Sequence, residues 1–142
     1  MHSQPITIRG LGPEDAHILD RRLPGLLEDA ADPNRVWRFL AGRANAMVVA
    51  LSEGRVVALA YGTAMNDPQH DDAFFLVEVR VAEDFRRQGI ARRLIGRLRD
   101  AAAERGCLNF WLLAEPENAE ARALYEALGG EPQAQTSWYW AL

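Results

Sequence analysis

The chain contains no lysine; all sixteen of its basic residues are arginine. A phosphate-binding loop that ends in Gly-Lys-Ser/Thr is therefore excluded. One cysteine, Cys107, leaves no internal disulfide framework. Three scattered histidines and that single thiol do not suit a structural zinc site, so no metal is expected. No apolar run approaches the roughly 20 residues needed to cross a bilayer. The opening Met1-His2-Ser3-Gln4-Pro5 has no basic stretch followed by an apolar one, so a secretory leader is not expected. Repeats, low-complexity tracts and linkers are also missing. The expected setting is reducing and cytoplasmic, without a membrane partner.

What is present suits a single domain over residues 1–142. Hydrophobic residues make up 49% and charged residues 25%. A chain of this length buries roughly 70% of its unfolded surface. Charge is uneven. Residues 80–105 hold eight arginines against four acids, a local +4 within a chain of net −4, so the rest carries −8. An acidic body argues against nucleic acid as a partner. One basic segment suits a single anionic ligand, and the acidic remainder suits a cationic partner. A solvated arginine-rich helix face would give the same pattern.

Periodicity and turn chemistry predict the elements. Ile6 to Arg9 alternates as a short strand. Pro13 opens a helix that runs to about Leu27, with a break at Pro24-Gly25. Asp32-Pro33 caps a second helix. Residues 46–51 and 55–63 flank Ser52-Glu53-Gly54 as a hairpin. The second of these runs is apolar on both faces and belongs inside a sheet. Residues 66–72 form a polar, acidic loop, and residues 74–81 form the next strand. From Gly89 to about Arg105, Ile90, Leu94 and Leu98 recur at helical spacing. Gly106 ends that helix. Residues 108–113 read as a buried strand, 118–128 as a helix and 136–141 as a last strand. The order β-α-α-β-β-β-α-β-α-β predicts a mixed α/β fold with helices on both sheet faces. Its 74–113 unit is expected to be parallel and right-handed.

The chemically informative piece is Arg86-Arg87-Gln88-Gly89-Ile90-Ala91, between a strand and the strongest helix. Such a turn presents unpaired backbone N–H groups at the positive end of a helix dipole. Gly89 allows close backbone approach. Ala91 stays small, and Arg86, Arg87, Arg92 and Arg93 add charge. This is the physics of a pyrophosphate cradle. It lacks the Gly-x-Gly-x-x-Gly of a dinucleotide site.

With these residues the chain resembles the GNAT superfamily of N-acetyltransferases. That family's acetyl-CoA motif, Arg/Gln-x-x-Gly-x-Gly/Ala after the fourth strand, is matched by Arg86 to Ala91. A second signature, Asn-x-x-Ala-x-x-Leu-Tyr-x-x-x-Gly, reads here as Asn118, Ala121, Leu124, Tyr125 and Gly129. Gly130 departs from the aromatic residue many members carry. Within the superfamily the chain looks most like the small aminoglycoside 3-N-acetyltransferases. That likeness rests on residues 56–61, on Glu78-Val79-Arg80-Val81 and on the cradle.

The resemblance implies a mixed, mostly antiparallel sheet of six to seven strands. It implies acetyl-CoA as co-substrate, with its pantetheine arm between splayed strands four and five. Backbone amides near Val79 and Val81 would bind that arm, and the amides of Arg87 to Arg92 would hold the pyrophosphate. Asn118 would reach the pantetheine; capping its own helix is the alternative, and the two are compatible. Tyr125 would be the general acid for the leaving thiolate, or else a packing residue. Glu78 would take the proton of the incoming ammonium, or else simply pair with Arg80 on the same strand face. Asp67, Asp71 and Asp72, with Glu28, Asp29 and Asp32, border the acceptor side in the family. Asp71 and Asp72 are therefore expected substrate contacts. His17 and His70 read as exposed, and Cys107 as buried filler. Residues 138–140 are left between core, pocket wall and a homodimer contact.

Two readings follow. The first is acetyl transfer from acetyl-CoA to a primary amine by direct attack in a ternary complex. Its leading acceptor is a cationic small molecule such as an aminoglycoside at its 3-amino group, ahead of a polyamine, another small amine or a peptide amine. Antibiotic resistance would be the corresponding trait. The second is a non-catalytic acyl-CoA sensor, which has no use for Tyr125 or Glu78.

Overall fold

The computed structural model describes residues 5–28 and 32–142, so Asp29 lies outside the described residues. Five strands form one sheet in the order β1-β2-β3-β4-β5. They are β1 (Thr7–Leu11), β2 (Asn45–Ser52), β3 (Arg55–Met65), β4 (Ala73–Val81) and β5 (Asn109–Leu112). The first three pairings are antiparallel and β4–β5 is parallel. The helices are α1 (Pro33–Ala41), α2 (Ile90–Glu104) and α3 (Ala119–Ala127). The hairpin tip is Glu53-Gly54, both at positive φ, as a two-residue turn between right-twisted strands requires.

The sheet is packed on both faces. On one, Ile90, Leu94, Ile95, Leu98 and Ala102 of α2 meet Val48, Ala50, Ala58, Ala60, Phe74 and Leu76. On the other, Leu19, Leu26 and Leu40 meet Met47, Val49, Val56 and Leu59. β3 supplies residues to both, which is why it reads as continuously apolar. Each fully buried leucine contributes about 1.5–3 kcal/mol. Helix α2 ends as expected: the Gly106 and Cys107 amides donate to Ala103 and Ala102 carbonyls, with Gly106 left-handed.

Three expectations need correction. The first helix is a 3-10 helix, Pro13–Arg21, and does not reach Leu27. Leu23, before Pro24, is pushed out of the helical region, and its amide donates to the Val56 carbonyl at 2.9 Å. The strand at 108–113 is shorter and not buried; its flanking Leu108 and Leu113 are exposed, because no further strand covers its outer edge. The last strand, at 136–141, does not form, so the described sheet has five strands and not six or seven.

Candidate active site

β4 carries an irregularity that the sequence does not announce. Tyr61 of β3 faces Glu78, but the next residue, Gly62, faces Leu76, so Val77 is an extra residue in the ladder. Phe74 and Leu76 point to the α2 side; beyond the bulge Val79 and Val81 do so instead. Glu78 is thereby turned to the opposite face, with Arg80. Gly62 makes this possible: a Cβ there would overlap the Phe75 carbonyl and approach a Phe74 ring carbon.

Beyond the bulge, β4 and β5 part company. β5 pairs only with residues 73–76 of β4. The Ala82 amide donates to the Val57 carbonyl of β3 at 2.9 Å. By strand alternation the amides and carbonyls of Val79 and Val81 therefore point away from β3, into the gap.

The cradle closes one end of this gap. Arg87 and Gly89 are both left-handed, at φ 64° and 76°, and curl the turn into the start of α2. The amides of Gln88 and Gly89 donate to no group among the described residues, and the first amides of α2 have no intrahelical acceptor. Arg86 is built into the wall: its Nε donates to the Val81 carbonyl at 3.0 Å and its amide to the Glu83 carbonyl at 3.3 Å. Arg93 likewise donates to the Ile6 carbonyl at 3.1 Å. Among the described residues, Arg87 and Arg92 carry the cradle's uncommitted guanidinium groups. An anionic diphosphate with a narrow, hydrogen-bonding arm fits this set of donors.

Glu78 is half-exposed and pairs with Arg80, Nε to Oε1 at 3.2 Å. Arg80 also donates to the Gly25 carbonyl at 3.3 Å, which anchors the pair to the segment after the 3-10 helix. Tyr125, on α3, is half-buried against the α2-side core. Burial raises its phenol pKa, and the Glu78 carboxylate raises it further. Tyr61 is raised by the same two causes, burial first. One carboxylate thus acts on two phenols, one from each face of the sheet. Tyr61, packed edge-on against Phe39 at 5.4 Å, was missed from sequence. Only the register, displaced at Val77, sets it opposite Glu78.

The remaining candidates divide. Asn118 caps α3, its side-chain oxygen accepting from the Ala121 amide at 3.0 Å. Asp71 and Asp72 precede β4, so roughly 20 Å of strand separates Asp72 from Glu78; the structure does not bring them to the gap. Asp72 instead accepts from Asn66 at 3.3 Å, and its carbonyl takes the Leu108 amide. Asp67 is occupied by the Gln69 and His70 amides and the His70 ring, which lower its pKa. Cys107 is buried, with its thiol pKa pushed up by that burial. No cluster of metal-ligating side chains occurs among the described residues, and no helix there is long and apolar enough to cross a membrane.

Known proteins share this family and fold. The acetyltransferase (GNAT) family model covers residues 16–130. The chain belongs to that family, one of acetyl-CoA-dependent N-acetyltransferases. A [ribosomal protein bS18]-alanine N-acetyltransferase of Escherichia coli strain K12 is 41% identical over 58 residues, 41% of this chain and 39% of that protein. The match thus spans about two fifths of this curated relative. Among solved structures, a ribosomal-protein-alanine N-acetyltransferase from Brucella melitensis superposes with TM-score 0.75 at 25% identity, covering 97% of this chain and 100% of that one. An aminoglycoside acetyltransferase from an uncultured soil metagenomic sample, in complex with sisomicin, reaches TM-score 0.80 at 18% identity, with 96% of each chain covered. Aminoglycoside N-acetyltransferase AAC(6')-Iy in complex with CoA reaches 0.79 at 22%, covering 99% and 97%. The last two show a shared fold.

Proposed function

We propose that this protein transfers the acetyl group of acetyl-CoA to a primary amine by direct attack. The observation that carries the reading is the gap between β4 and β5, walled by the outward backbone of Val79 and Val81 and flanked by Glu78 and Tyr125.

The amides of Gln88 to Arg92, with the Arg87 and Arg92 guanidinium groups, hold the diphosphate. The Val79 and Val81 backbone takes the pantetheine arm as a short added strand, and one of these amides polarises the thioester oxygen. The acceptor arrives as an ammonium. Glu78, directly or through water, removes one proton and Arg80 keeps the carboxylate oriented. The free amine attacks the thioester carbon, a C–N bond forms and the C–S bond breaks. Tyr125 donates its phenolic proton to the departing sulfur, and the second proton on the new amide nitrogen passes through water to restore the phenol. Its raised pKa keeps that proton in place at neutral pH. Asn118 and Arg86 support α3 and the end of the gap, and no substrate contact is proposed for Asp71 or Asp72.

For the acceptor, the net −8 outside residues 80–105 and the carboxylate at the gap favour a cationic small amine, an aminoglycoside first. A second reading, the N-terminal amine of a protein, is favoured by the likeness to the bS18-alanine acetyltransferase. The test is coenzyme A thiol release across aminoglycosides, polyamines and alanine- or lysine-bearing peptides. Release with one class identifies the acceptor. Release with none, while acetyl-CoA still binds, would replace catalysis with an acyl-CoA sensor.

A further inference from the structure

The half-buried Tyr61 has a hydroxyl that makes no hydrogen bond among the described residues. No buried side-chain nitrogen or oxygen there lacks a partner, so this hydroxyl reaches solvent. An apolar ring with a wet tip is the form a tyrosine takes where a ligand or partner meets it. The ring itself is fixed. It packs on the core that Leu40, Met47 and Leu59 help to form, and Phe39 meets it edge-on.

The bulge sets its neighbour. Tyr61 of β3 is the direct partner of Glu78 in β4, and both lie on the face opposite α2. Direct partners hold their Cβ atoms about 5 Å apart. Burial, and then the Glu78 charge, raise the Tyr61 pKa, so the phenol stays protonated at neutral pH. Glu78 commits Oε1 to Arg80 at 3.2 Å, and its other oxygen has no partner among the described residues. Across the sheet the sequence is Tyr61 on β3, Glu78 on β4, then the gap. The phenol therefore stands on the far side of the carboxylate from the thioester.

This order bears on the direct-attack reading given above, on which the inference rests. Once Glu78 has taken a proton from the ammonium, the free amine has two N–H groups and one lone pair. The lone pair must face the thioester carbon in the gap. We propose that Tyr61 restricts the reaction to primary amines: its phenolic oxygen accepts one N–H, an oxygen of the Glu78 carboxyl accepts the other, and the lone pair is left toward the gap. Tyr61 keeps its own proton and forms no covalent bond. A secondary amine has a single N–H, so an alkyl group must sit against one of the two oxygens. That oxygen is then desolvated with no donor, at a cost of at least about 10-fold in rate.

Coenzyme A thiol release tests this with putrescine, sisomicin and an alanine-terminated peptide. Each is compared with the form in which every primary amine carries one methyl group. Methylation keeps the positive charge, so charge attraction does not separate the two forms. The parent should favour the primary amine at least about 10-fold in kcat/KM. Tyr61→Phe keeps the ring and removes the oxygen. It should lower kcat/KM for the primary amine roughly 10-fold and shrink the preference to within about threefold. Acetyl-CoA affinity by calorimetry and the melting temperature should not change. The preference is a ratio within one variant, so the folded fraction cancels. Tyr125→Phe should slow both forms alike and keep the preference. A parent that uses both forms equally overturns the proposal, and so does a preference that Tyr61→Phe leaves intact. A parent that releases thiol with none of the three primary amines overturns direct attack itself, and this inference with it.

Discussion

A methyl group at position 62 has nowhere to go, because the Phe75 carbonyl and the Phe74 ring already occupy its place. Gly62→Ala should lower stability by about 1–3 kcal/mol, the usual cost of forced volume in a packed interior, read by denaturant titration. Acetyl-CoA binding should weaken as well, since the bulge opposite Gly62 shapes the gap. Tyr125 makes a different demand. Tyr125→Phe should lower kcat by roughly 100-fold if the phenol is the acid, with acetyl-CoA affinity unchanged by calorimetry. The two carboxylate effects also have a sign. The negative charge of Glu78 disfavours phenolate and holds the Tyr125 pKa up. Glu78→Gln removes that charge, so the alkaline fall in kcat should move to lower pH. An unmoved limb would show that Tyr125 is not the group titrating there.

Strand β4 is where the sequence misleads and the reason is geometric. Ala73 to Val77 is apolar throughout and only Val77 to Val81 alternates, so the pattern marks no break, and strict pleating would put Glu78 on the Phe74 side. The extra residue Val77 reverses the sides midway, and nothing in its chemistry marks it. Deleting Val77 keeps Leu76 and Val79 on the core face but restores a regular ladder. We expect a folded protein by circular dichroism that has lost most of its acetyl-CoA affinity. Elements with strong local signals were legible: the Asp32 and Asn118 caps, the Glu53-Gly54 turn, the heptad-like apolar face of α2 and the cradle glycine. Those that depend on neighbours were not. The 3-10 helix, the exposed β5 and the unpaired tail differ from expectation because tertiary pairing, not propensity, decides them. Asp15 shows the same limit: buried, and bound to Arg9 at 2.7 Å and the Gly12 amide at 2.9 Å, it pins β1 to the 3-10 helix without a sequence motif.

At the scale of the whole molecule, charge is arranged in two territories. Residues 80–105, which include the cradle, carry a net +4, and the rest of the chain carries −8. Attraction across solvent weakens as the screening length shrinks, to about 8 Å at physiological salt and about 3 Å at 1 M. The KM for a polycationic acceptor should therefore rise steeply with added salt while kcat holds. For a neutral peptide amine the KM should stay nearly flat, so steady-state kinetics across a salt series separates the acceptor classes. Arginine also builds the frame. Arg105 reaches the carbonyls of Arg43, Asn45 and Ala101 at 3.2, 2.9 and 2.9 Å, joining the end of α2 to the start of β2 in a way a single ammonium would not. That choice of guanidinium over ammonium leaves the folded surface without one nucleophilic side-chain nitrogen of the kind the proposed reaction consumes. A catalyst that holds an activated acyl donor beside its own side chains is, in this respect, chemically invisible to itself.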